Sequence, residues 1–73
     1  MARVLHLFKG EHAGEAAAVI ATQAGAGDQV TIALLDAAAP PLPAGVDVRR
    51  VPAELSYERL VEFVFASDHV VTW

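Results

Sequence analysis

No cysteine occurs anywhere in the 73 residues. That excludes disulfides, thiolate metal ligands and thiol nucleophiles at once. Positive charge is also scarce: five Lys and Arg stand against nine Asp and Glu, a formal charge of −4. Nucleic-acid affinity rests chiefly on neutralising phosphates, so an acidic domain is not expected to bind nucleic acid directly. The adjacent pair Arg49-Arg50 reads as a solvated strand end. No apolar run is long enough for a transmembrane helix, and the start Met1-Ala2-Arg3 carries no leader pattern. A cytoplasmic protein without membrane contact is expected. Glycine-rich phosphate loops are missing as well. Gly10 and Gly14 give G-x-x-x-G, not the dinucleotide fingerprint, and no Walker lysine follows.

What the chain has in surplus is apolar surface. Its hydrophobic fraction is 55%, above the roughly 45–50% usual even when glycine is counted. A single domain of this size buries only about 60% of the surface its unfolded chain exposes. Small scaffolds commonly need a staple, and with no disulfide available the expected staple is a second subunit.

Arg3–Phe8 is a short apolar run and reads as the first strand. Glu11–Ala24 reads as a helix, with Ala13, Ala16, Ala17, Ile20 and Ala24 on one stripe. Gly25 and Gly27 end it. Gln29–Leu35 is a second strand, nearly continuously apolar, as a strand covered on both faces should be. Asp36–Gly45 holds three prolines and reads as an ordered loop or a short turn of helix. Val46–Val51 is a third strand whose charged residues suit a sheet edge. A second helix starts after Ser56, a candidate N-cap, with Leu55 and Leu60 placed to staple its entry. Tyr57, Leu60, Val61 and Val64 form its expected inward stripe. Phe63 and Phe65 widen the apolar arc on both flanks and leave little of the helix for water. His69–Trp73 is the fourth strand, and a chain end on a large aromatic is expected to be docked.

The order β-α-β-β-α-β predicts an α/β fold in one domain spanning residues 1–73: a four-stranded, mostly parallel sheet in order 3-2-1-4, half of a doubly wound Rossmann-type sheet, with helices on its faces. Trp73 then falls at the carboxyl end of an edge strand.

Candidate chemistry is sparse. Lys9-Gly10-Glu11-His12 joins the first strand to the first helix, where open α/β sheets bind ligands and helix N-termini attract anions. Lys9, Gly10 and His12 are the candidate anion-binding residues; an ordinary turn with an exposed lysine is the simpler reading. His6 and His69 lie on strands expected to be neighbours, so their rings could approach. No second member of a triad accompanies them, and the histidines lack metal-ligand spacing. No catalytic residue, metal or cofactor is expected.

Leu5-His6, Lys9 and Gly27-Asp28-x-Val30 leading into a strand that ends at Asp36 resemble the small DsrH/TusB proteins of sulfur-relay systems. The closing stretch resembles them more closely: Leu60-Val61-Glu62-Phe63-Val64, Asp68, then Val70-x-Thr72-Trp73. Asp36–Leu55 departs from the pattern, with a proline loop where the family carries a short helix. The resemblance implies a DsrE-like domain that assembles with DsrE/DsrF-like (TusD/TusC-like) sister subunits, in complexes that pass sulfur as persulfide towards tRNA thiolation or sulfur oxidation. The cysteine that some DsrH members carry on the first helix would fall near Ala18 or Val19. Without it the expected role is that of a non-catalytic assembly subunit, homo- or hetero-oligomeric. Phe63, Phe65, Val71 and Trp73 are its expected subunit contacts. The alternative is a small-ligand or anion-binding module built on the Lys9–His12 turn.

Overall fold

The computed structural model describes residues 1–73 as β1 (Arg3–Phe8), α1 (Ala13–Gly25), β2 (Gln29–Leu35), β3 (Asp47–Val51), α2 (Tyr57–Ala66) and β4 (His69–Thr72). All four strands join one sheet in order β3-β2-β1-β4, and every pairing is parallel. The α/β fold and strand order expected from the sequence are those observed.

Side chains alternate across a strand, so the register assigns each residue a face. Val4, His6 and Phe8 of β1 share a face with Val30, Ile32 and Leu34 of β2, and Ala16 and Ile20 of α1 seal it. Leu5 and Leu7 point the other way, towards Ala33, Val51 and the α2 residues Leu60, Phe63 and Val64. One helix thus covers each side of the sheet. Between β2 and β3 there is no helix. Instead the proline loop buries Pro40 and packs Leu42 and Val46 against the α1-side core.

Helix α1 begins at Ala13, two residues later than the expected Glu11. His12 sits in the left-handed region (φ 58°, ψ 37°), after Gly10 at φ 102°, and a residue there cannot continue a right-handed helix. At the other end Gly27 takes the left-handed position at φ 88°. The Asp28 amide donates to the Gln23 carbonyl at 3.1 Å and the Gly27 amide to that of Ala24 at 3.1 Å, a Schellman closure.

Helix α2 is capped as expected: Ser56 Oγ accepts from the Arg59 amide at 3.2 Å. Leu55 is buried and shares a cluster with Leu60. The inward stripe needs correction, however. Tyr57 and Val61 are 63% and 54% exposed, while Leu60, Phe63 and Val64 face the sheet. The Leu55–Leu60 staple fixes the helix entry, and residues at i, i+3 and i+4 from Leu60 then meet the sheet together.

Strand β4 is tied to the start of β1 by an aspartate. Asp68 Oδ2 accepts from the Arg3 amide at 2.8 Å, and the Asp68 amide donates to the Arg3 carbonyl at 2.8 Å. Asp28 Oδ1 accepts from the Ala2 amide at 3.2 Å, so both amides that lead into β1 have partners.

Candidate functional site

His6 is fully buried (0% exposed) at the centre of the α1-side face. A buried imidazole must place both ring nitrogens. Nε2 lies 2.6 Å from Gln23 Oε1 on α1, and Nδ1 accepts from the Trp73 indole Nε1 at 2.9 Å. Indole nitrogen is donor only, so Nδ1 must be the bare nitrogen and Nε2 carries the proton. The two ring planes are 13° apart with centroids at 6.1 Å. With the nitrogens at hydrogen-bond distance, that spacing describes rings joined edge to edge in nearly one plane rather than stacked face to face. Burial pushes the His6 pKa below its ordinary value; the Gln23 hydrogen bond pulls upward and is outweighed. A neutral imidazole with both nitrogens engaged and no access to solvent is not placed to act as a general base.

The other histidines stand apart from this group. His69 pairs with Val4 in the register and is exposed, and no hydrogen bond joins it to His6. His12 is exposed at the β1–α1 turn, with Nδ1 3.3 Å from Glu15 Oε2. Lys9, Gly10 and His12 do lie together on that turn, all open to solvent. No three His, Asp or Glu side chains converge to form a metal-holding group. A cavity of about 230 Å³ opens at the opposite end of the sheet, lined by Arg3, Thr31, Asp47, Phe63 and Ser67.

The four expected contact residues separate between the two faces. Phe63 is half-buried under α2, and Val71 and Trp73 are half-buried on the α1 face. Phe65 is 85% exposed. It continues the line Tyr57, Val61, Phe65 at spacings of four, which forms one apolar stripe along α2. Val70, 41% exposed, pairs with Leu5 and so lies on the same side of the sheet. Strand β4 has a partner on one side only.

Gln23 was not among the residues singled out from the sequence. A signal for it existed: Ala16, Ile20 and Gln23 keep helical spacing, and Gln23 is the one amide on that line. A histidine within an apolar strand needs such a partner.

Compared with protein-family models, with curated proteins and with solved structures, the chain gives no match.

Proposed function

We propose that the chain is a non-catalytic assembly subunit, similar in role to the DsrH/TusB component of a sulfur-relay complex. The observation that carries this reading is the stripe Tyr57, Val61 and Phe65, three large side chains aligned on one helix and left to water. Val70 of the open edge strand is exposed on the same side of the sheet. Scattered exposed apolar residues are ordinary on protein surfaces, but an aligned row on the same side of the sheet as an unpaired strand edge is the form an interaction surface takes. The partner is a DsrE/DsrF-like chain or a second copy of this one. With no cysteine, the subunit holds no persulfide and contributes shape and position to the assembly. The buried, fully partnered His6 supports the same reading, because the chain's best-placed proton carrier is closed to substrate.

Native mass spectrometry tests this with the purified chain alone and with co-expressed DsrE- and DsrF-like chains. An oligomer that Phe65→Ser dissociates is the expected result. A wild-type chain that stays monomeric in both settings would overturn the proposal, as would an oligomer indifferent to Phe65→Ser.

A further inference from the structure

His6 is the one fully buried ionisable side chain, and assembly through α2 makes no use of it. Its two hydrogen bonds differ in kind. Gln23 Oε1 accepts from Nε2–H and keeps doing so whether the ring is neutral or charged. The Trp73 bond runs the other way, with Nδ1 as acceptor. A proton on Nδ1 sets one donor against another at 2.9 Å, and the indole has no lone pair to offer instead. We propose that His6 is a proton-operated latch: protonation at Nδ1 releases the Trp73 indole from the sheet, while Gln23 keeps hold of Nε2.

The surroundings make the release local. The side chains facing His6 are Gln23 from α1, Ile32 from β2, Val71 from β4, and Trp73 directly after it. None of these side chains is charged, so no side-chain carboxylate compensates a buried imidazolium. The one titratable side chain on this face of β4 is His69, which is exposed and carries the same sign when protonated. Water is therefore the remaining source of solvation, and the half-buried Trp73 is the group whose departure admits it. Strand β4 stays attached at its beginning through the two Asp68–Arg3 hydrogen bonds. At its far end the anchors are the indole and the Trp73 amide on the Leu7 carbonyl at 3.0 Å. Release of the indole uncovers Nδ1 and so relieves part of the burial that lowers the His6 pKa.

Trp73 is the single tryptophan, so its emission reports the latch directly. Between about pH 7.5 and about pH 4.5 we expect the emission maximum to move to the red with a midpoint below the ordinary histidine value of about 6.5. The far-UV circular dichroism should hold over the same range. His6→Gln should abolish the transition. A second measurement does not depend on that variant folding: in proton–nitrogen NMR of the wild-type chain, the indole N–H resonance should leave its hydrogen-bonded position with the midpoint of the His6 ring. The latch is refuted by an indole resonance unmoved through the His6 titration, or by a ring that does not titrate above about pH 4.5. An emission change shared by His6→Gln, or one coincident with loss of secondary structure, refutes it equally.

Discussion

The charge state of His6 contributes to how stability depends on pH. Its folded pKa lies below the value of about 6.5 for an unfolded chain, so the unfolded state takes up the proton first as pH falls. The stabilisation is present in full above the unfolded value. It is lost as pH drops through that value towards the depressed folded one. Urea midpoints measured from pH 8 downward should therefore decline across this window, and His6→Gln should flatten the decline. At neutral pH, Gln23→Leu leaves the Nε2 proton buried without an acceptor. Such an orphan costs about 1–3 kcal/mol, readable as a lower urea midpoint at unchanged slope. A histidine in an apolar strand can be read from sequence as a packed, hydrogen-bonded residue. Its partners are harder to read. Choosing Gln23 over Ala24 for the inner line requires the helix phase to within one residue, and that phase is set by where α1 starts. The left-handed His12 moved that start by two positions.

Among the elements, α2 shows most clearly what pattern can and cannot fix. Its existence, its Ser56 cap and its Leu55–Leu60 staple were all legible, because each rests on neighbours in the chain. Its rotation was not. Apolar residues occupy so much of its circumference that periodicity alone does not choose between Tyr57–Val61 and Phe63 as the inner flank, and only contact with Leu5 and Ala33 decides. Two substitutions separate the flanks. Phe63→Ala removes a half-buried ring from the α2-side cluster and should cost roughly half the 3–5 kcal/mol of a fully buried Phe, measured by chemical denaturation. Phe65→Ser at an exposed position should leave the stability of a dissociated chain within about 0.5 kcal/mol. Replacing the cap, Ser56→Ala, should lower stability by about 1 kcal/mol in the same assay.

For the whole molecule, strand order followed from the alternation of strand and helix patterns, since parallel neighbours require crossovers and few arrangements satisfy them. The proline loop was legible as irregular, but its service as a core plug was not, because Leu42 and Val46 pack on the α1-side core through contacts with residues distant in the chain. With 13 of 73 residues buried, the monomer has a thin core for its apolar content. If assembly supplies the remainder, the melting temperature should rise with protein concentration, as mass action requires, and Phe65→Ser should remove that dependence. The pairing of β4 with β1 has a mechanical consequence. The two strands run parallel, and the amino end of β1 and the carboxyl end of β4 lie at opposite ends of the sheet. Handles attached before β1 and after β4 would pull these neighbours lengthwise past one another. Their hydrogen bonds would share the load in shear instead of opening one at a time like a zipper, so the fold should resist tension far better along this axis than across it.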